Sequence, residues 1–277
     1  MTHPDVAVDG RIHTVVEDLE QVLLEFVRKH QITHSDYRAA TDLIIESIKA
    51  GEESLLFDVF FEAEATDVGN LGRDGSPEAI EGPFYLPGAP ILDGPLNVMP
   101  QRDDEKGQPL LFRGTVTDTD GQPLGGVELD LWHADADGLY SNIHPNIPDY
   151  NLRGRFVSEA DGTFRVLTIL PPPYEIPKDG PTGTVLRALG RHFFRPAHLH
   201  IKLRHNDFED MTSQLYFQGG AYLDNDVAGA VRDGLVIELR EVDDTALISE
   251  QGLDHPYTDA RYDFVLARTH NAPLENR

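Results

Sequence analysis

The 277-residue chain contains no cysteine, no run of 18 apolar residues and few basic side chains. Without cysteine there can be no disulfide, thiolate zinc site, iron–sulfur cluster or cysteine nucleophile. Without a long apolar run, no segment is suited to span a bilayer as a helix. The segment Met1–Arg11 is polar, carries Asp5 and Asp9, and lacks the apolar core of a secretory signal. A cytoplasmic protein with no membrane insertion is therefore expected. Lys and Arg total 23 against 48 Asp and Glu, a net charge of −25. Such a surface repels phosphate backbones and anionic headgroups, so nucleic acid is not an expected partner. Also missing are a Gly-X-Ser-X-Gly elbow, a phosphate-binding Gly-X-X-X-X-Gly-Lys loop, a dinucleotide fingerprint and a His-Glu-X-X-His helix. Serine hydrolysis, nucleotide binding and Rossmann-type hydride transfer lose support accordingly. What is present, 40% hydrophobic residues with 13 Phe and 9 Tyr, suffices for a folded core.

Two periodicities divide the chain. Residues 12 to about 68 read as helix: Val15, Val16, Leu19, Val22, Leu23, Phe26 and Val27 recur at three and four, with Glu17, Asp18, Glu20 and Arg28 opposite. Thr33-His34-Ser35-Asp36 resembles a capping box, and Gly51 ends the helix that follows. A third helix from Glu53 to Val68 is apolar on nearly every side, which suits either a bundle core or a subunit interface. Turn-formers crowd residues 69–108, as a connecting arm would require. Beyond it the period becomes two, in Leu111–Val116, Val127–Trp132, Phe164–Ile169, Ala197–Leu203, Thr212–Phe217 and Tyr262–Leu266, with the turn Asp118-Thr119-Asp120-Gly121 between the first two. The expected fold is α+β: an N-terminal helical region with its arm over 1–100, then an antiparallel β-sandwich or barrel over 101–277.

Of the 12 histidines, only His198 and His200 form an i, i+2 pair within a strand-like stretch. Alternation places both imidazoles on one face, either as metal ligands or as two half-buried side chains bonded to neighbours. His30 and His34 fall in a helix–helix turn and read as exposed. Tyr140 ends the strand-and-turn run Trp132–Tyr140, and Tyr174 follows three prolines that hold the backbone extended. Each phenol is either a rigidly placed metal ligand or a packing group.

Taken in order, Glu81-Gly82-Pro83-Phe84, Leu131-Trp132-His133-Ala134 through Tyr140-Ser141, Pro173-Tyr174-Glu175-Ile176-Pro177, Gly180-Pro181-Thr182-Gly183, Arg195-Pro196-Ala197-His198-Leu199-His200 and Gln214-Leu215-Tyr216-Phe217 resemble the intradiol ring-cleaving dioxygenases. Among these, the catechol and chlorocatechol 1,2-dioxygenases are the nearest in pattern. The resemblance implies one non-haem Fe(III) per subunit on Tyr140, Tyr174, His198 and His200. It implies chelation of a catechol with displacement of Tyr174, and ring cleavage by dioxygen to a cis,cis-muconate. Ferric iron is a hard acid and phenolate a hard anion, so the donor set matches the ion. Arg195 and Gln214 correspond to family residues beside the substrate. Leu55, Asp58, Val59, Ile80, Gly82, Pro83, Phe84 and Ala228 correspond to the ring pocket. A homodimer through the N-terminal helices, with a possible phospholipid between them, is implied in the same way.

Hydroxyquinol enzymes carry Trp-Glu where this chain has Trp132-His133, and chlorocatechol enzymes often carry Cys where Ala228 falls. Unsubstituted catechol is thus the expected substrate, with chlorocatechol, methylcatechol or hydroxyquinol as alternatives. Two other readings compete: an Ig-like β-sandwich binding module, and zinc or copper in the same ligands.

Overall fold

A computed structural model describes residues 10–269. The chain divides into two compact units, one ending at Gly51 and the other beginning at Glu52. The first holds two helices, α1 (Gly10–Lys29) and α2 (His34–Ala50). Thr33 caps α2 as the sequence predicts: its Oγ1 accepts from the Asp36 amide, and Asp36 accepts from the Thr33 amide (2.9 Å). Gly51 closes α2 in the left-handed conformation (φ 70°), where a Cβ is disfavoured. His30 and His34 are exposed, as expected. On α1, Val15, Val16, Leu19, Val22, Leu23 and Phe26 are each more than half exposed, so the two helices of this unit do not bury this apolar stripe between them. Among the described residues, no helix is long and apolar enough to cross a membrane.

The boundary at residue 51 differs from the expected one near 100 because residues 52–100 pack into the second unit. Leu55 and Val59 join a core cluster with Trp132, Tyr140 and Tyr174, and Ala79 and Met99 join the main core. The expected helix over 53–68 is also interrupted: α3 (Glu53–Phe57) passes through a π-helical turn (Asp58–Glu62) into α4 (Ala63–Asn70). Leu55, Leu56 and Val59 are buried whereas Phe57 and Phe61 are exposed, so the segment does have an outer face.

Among the described residues twelve strands follow: β1 (Pro109–Asp118), β2 (Glu128–Trp132), β3 (Arg153–Val157), β4 (Thr163–Ile169), β5 (Tyr174–Glu175), β6 (Phe194–Arg195), β7 (His198–Arg204), β8 (Met211–Phe217), β9 (Val236–Ile237), β10 (Leu239–Val242), β11 (Tyr257–Arg261) and β12 (Phe264–Leu266). Helix α5 (Pro181–Ala188) lies between β5 and β6, and α6 (Thr245–Glu250) between β10 and β11. One five-stranded sheet runs β10-β11-β1-β12 with β4 also on β1; a second runs β3-β2-β7-β8-β9. The Asp118–Gly121 turn therefore carries the chain from one sheet to the other, since β1 and β2 are not partners. Leu110, Phe112, Val116, Val166 and Phe264 from the first sheet share one core with Leu129, Leu131, Leu199, Ile201, Leu203 and Leu215 from the second.

The sheets are mixed rather than wholly antiparallel. Strand β1 pairs in parallel with β11 and β12, and β8 with β9. Parallel partners must be joined by a long connection, and the stretch from β1 to β11 supplies one that local alternation cannot reveal. Between β11 and β12, Tyr262 presses against Gly114: a Cβ there would lie 1.7 Å from the Tyr262 carbonyl oxygen. Backbone must move to admit it, so Gly114→Ala is expected to cost about 3 kcal/mol. A urea midpoint unchanged from the parent would refute this.

Candidate metal centre

The strand β7 sets the geometry. Its odd positions Leu199, Ile201 and Leu203 enter the core, which leaves His198 and His200 on the opposite face. The two Nε2 atoms face each other at 2.9 Å. Two nitrogens at right angles around a shared ion, each about 2.1 Å from it, would stand about 3 Å apart. The Nδ1 of His198 lies 2.7 Å from the Pro196 carbonyl oxygen, a bond that requires the proton on Nδ1 and leaves the Nε2 lone pair free. Burial and the nearby Arg195 charge push the His198 pKa down to about 3. Burial followed by the His198 charge pushes His200 well down too. Both imidazoles are thus held in the neutral, ligating form.

Strand pairing supplies the surroundings. Trp132 on β2 lies opposite His200 and stacks on it, with ring centres 4.7 Å apart at 12°. On β8, Gln214 lies opposite His200 and Tyr216 opposite His198. The Gln214 amide nitrogen donates to the Ile80 carbonyl oxygen (2.8 Å) and lies 3.2 Å from His200 Nδ1.

Two loops deliver the phenols. After β2, Asp135 accepts from the amides of Asp137 and Leu139 (both 2.9 Å), folding the turn that presents Tyr140. In that turn Gly138 has φ +81°, and a Cβ would meet Tyr174 Cβ at 2.9 Å, so only glycine lets the two loops close together. Tyr174 opens β5 beside Arg195 on β6. The Tyr140 ring lies 5.4 Å from that of Tyr174 and 6.2 Å from that of His200, and the Tyr174 ring lies 5.6 Å from that of His198. Among the described residues the buried Tyr140 hydroxyl makes no hydrogen bond of full geometry, the Tyr174 phenol being its polar neighbour. Burial, then the Tyr174 phenol, hold its pKa well above the usual phenol range; burial raises Tyr174 as well, against the pull of Arg195.

A buried, poorly paired phenol and two convergent neutral imidazoles are an incomplete polar cluster, and a cation would complete it. The donor set suits a hard ion: coordination would ionise both phenols, which the chain alone disfavours, and two phenolates neutralise ferric charge better than divalent zinc needs. The residues present therefore fit ferric iron.

All eight residues expected around the ring, from Leu55 to Ala228, border one small, apolar pocket, together with Tyr174, Ile176, Arg195 and His200. Asp58 stands at its edge, half-buried and bonded to Ser54 Oγ (2.5 Å), with its pKa raised chiefly by burial. Glu62 accepts from the amides of Glu81 (2.8 Å) and Gly82 (3.3 Å), which seats the Gly82-Pro83 turn near His200. Sequence reasoning missed two residues that organise this centre. Arg153 lies buried over the Tyr140 ring and donates to Ser141 Oγ (2.9 Å) and the Phe84 carbonyl oxygen (2.7 Å). Asp226 forms a buried ion pair with Arg195 (3.0 Å). Neither had a local signal, since each is one charge among many and acts on residues distant in sequence.

Comparison with known proteins agrees with this geometry. The sequence pattern of the family described as Dioxygenase matches residues 80–268. A chlorocatechol 1,2-dioxygenase of Rhodococcus opacus is 40% identical over 235 residues, spanning 84% of this chain and 91% of the relative. A catechol 1,2-dioxygenase of Acinetobacter baylyi is 32% identical over 266 residues, 93% of this chain and 84% of the relative. The crystal structure of the 3-chlorocatechol 1,2-dioxygenase of Rhodococcus opacus 1CP superimposes with a TM-score of 0.85 at 39% identity, covering 94% of this chain and 99% of that one. A non-enzymatic Ig-like module is thereby set aside, and with its His pair, its phenols and its matched length the chain belongs to the intradiol ring-cleaving dioxygenases.

Proposed function

We propose that the chain cleaves chlorocatechols between their two hydroxylated carbons at a single Fe(III) held by Tyr140, Tyr174, His198 and His200. The observation that carries the reading is the pair of Nε2 atoms 2.9 Å apart beside two buried phenols, one poorly paired, at the end of an apolar cavity. Held by those four residues, the ion would supply Lewis-acid polarisation of a bound catecholate. The remaining work falls to the chain. Leu55, Val59, Ile80 and Phe84, all buried, form the apolar wall against which the ring would lie away from water. Tyr174, on a short ribbon at the cavity wall, would take up a catechol proton on its Oη if the ion holds it as phenolate. Arg195 brings a fixed positive charge to the same wall, where negative charge develops on the ring. The Gln214 side-chain amide, anchored on Ile80, orients His200.

Alanine at position 228, where many chlorocatechol enzymes have cysteine, favours plain catechol; similarity along the whole chain favours chlorocatechol, with 40% identity to such enzymes against 32% to the catechol enzyme. One small side chain in an apolar wall is worth about 1–3 kcal/mol of discrimination, too little to outweigh the rest. A β-sandwich is the architecture that two sheets sharing one core support. A second copy of this chain, with a phospholipid between the helices, would cover the exposed stripe of α1.

The test is spectroscopic. Iron-loaded protein under nitrogen should be coloured by phenolate-to-iron charge transfer, shift to longer wavelength with 3-chlorocatechol, and bleach when air is admitted. Turnover of neither chlorocatechol nor catechol would end this reading. In the same assay, Ala228→Val should narrow the cavity and lower kcat/KM for 3-chlorocatechol about tenfold more than for catechol.

A further inference from the structure

We propose that Asp226 is a positioning residue for this reaction. One carboxylate both aims the Arg195 guanidinium and pins the turn that sets Ala228 in the cavity wall. The charge used in turnover and the surface that reads ring substituents are thus held by one side chain. The inference rests on the intradiol reading above.

The carboxylate makes four bonds. Its Oδ1 accepts from Arg195 Nε (3.1 Å) and the Ala228 amide (3.2 Å), and its Oδ2 from Arg195 Nη2 (3.0 Å) and the Ala230 amide (3.0 Å). The side chain is 1% exposed and that of Arg195 4%. A two-point carboxylate–guanidinium fork fixes rotation as well as position, and it offsets a charge that would be costly alone in the interior. Position matters here because Arg195 has little freedom to spare. Its Nη2 also donates to Gln214 Oε1 (2.9 Å) and Tyr216 Oη (3.0 Å), and its Nη1 lies 3.3 Å from His198 Nε2. An uncompensated guanidinium at that distance would repel any cation held by the imidazole; Asp226 offsets it.

The other half of the carboxylate's work is local. Accepting from the amides two and four residues ahead, Asp226 folds Asp226-Val227-Ala228-Gly229-Ala230 into a turn, with Gly229 at φ +59°. The Val227 amide ties that turn to Phe194, the neighbour of Arg195, through the Phe194 carbonyl oxygen (3.1 Å). The guanidinium and the Ala228 wall therefore cannot shift independently.

The experiment uses the full iron-loaded chain with Asp226→Asn, Asp226→Glu, Arg195→Gln and the Asp226→Asn/Arg195→Gln double variant. Asparagine keeps the size but turns an amide N–H toward the guanidinium, which breaks the fork. Asp226→Asn should lower kcat for 3-chlorocatechol about 10–100-fold with KM changed much less. It should also shift the 3-chlorocatechol to catechol ratio of kcat/KM about fivefold or more, within the reach of one pocket contact. Asp226→Glu, which retains the charge, should recover part of kcat. In the double variant the losses should not multiply, because Asp226 acts through Arg195. Independently of activity, each single neutralisation should lower the melting temperature, and the double should regain part of the loss. Wild-type kcat and substituent ratio in Asp226→Asn would reduce Asp226 to a structural pair and overturn the proposal. So would losses that multiply in the double variant. Should Asp226→Asn not fold, the same kcat and ratio are read from Asp226→Glu, and wild-type values there overturn the proposal equally. If the parent chain cleaves no catechol, the functional reading fails, while the melting temperatures still report the pair.

Discussion

Replacing Tyr140 with phenylalanine is expected to remove the iron and the visible colour while raising the melting temperature of the metal-free chain. The two effects have opposite signs because the hydroxyl serves the ion and not the fold. Among the described residues it makes no hydrogen bond of full geometry, its polar neighbour being the Tyr174 phenol, and a buried group so poorly paired costs about 1 kcal/mol of stability, which phenylalanine would return. The ring is retained in the substitution, so its packing on Phe84 (4.9 Å between centres) and Tyr174 (5.4 Å) survives. Loss of one anionic ligand leaves two neutral imidazoles and one phenol to balance a trivalent charge, and activity should fall by at least about 10²–10³-fold. Elemental analysis, the visible spectrum and calorimetry of the metal-free protein check the three parts. A phenylalanine variant with a full complement of iron and the parent spectrum would show that Tyr140 is not a ligand.

Acid should destabilise the chain steeply, and His133 should account for a separable share. This side chain is fully buried, between the Ala134 carbonyl oxygen (2.7 Å from Nδ1) and Thr168 Oγ1 (2.6 Å from Nε2). Burial pushes its pKa down to about 4, from 6.5, despite the upward pull of the Ala134 carbonyl. The folded state thus holds the neutral ring while the unfolded chain takes up a proton below about 6.5. Its contribution is complete above that pH, is lost as pH falls toward 4, and changes no further once both states are protonated. One extra proton on the unfolded side corresponds to about 1.4 kcal/mol per pH unit, and about 3 kcal/mol over the whole window. His198 and His200 are lowered in the same direction and steepen the curve. Urea unfolding at pH 7, 6 and 5 should therefore give an average slope about 1 kcal/mol per pH unit smaller for His133→Gln than for the parent. Equal slopes would mean that His133 titrates normally in the fold.

Much of the centre is legible in the order of residues alone. A His-X-His pair on a strand must place both rings on one face, whatever the strand pairs with, because alternation is a property of the backbone itself. The capping box at Thr33 and the break at Gly51 are local in the same sense, and both occur where the residue types put them. The positions of Tyr140 and Tyr174 are readable through the ordered motifs around them rather than through residue type. Less can be read of the helix over 53–68, where apolar side chains on every face conceal a π turn and two exposed phenylalanines.

The rest depends on which distant segments meet. Periodicity marks the stretch over 262–266 as strand but cannot show that β11 and β12 lie parallel to β1, since register across more than a hundred residues is settled by packing. Nor can it show that residues 52–100 join the sheets instead of the helices. The choice of Asp226 is the clearest case. Aspartates and glutamates number 48, all with the same intrinsic chemistry, and nothing near position 226 singles one out. The fold does so by burying one carboxylate against one guanidinium, where low dielectric turns a common ion pair into a fixed geometry. Residue types and local spacing are written in the chain; partners are assigned by burial, which is a property of the folded whole.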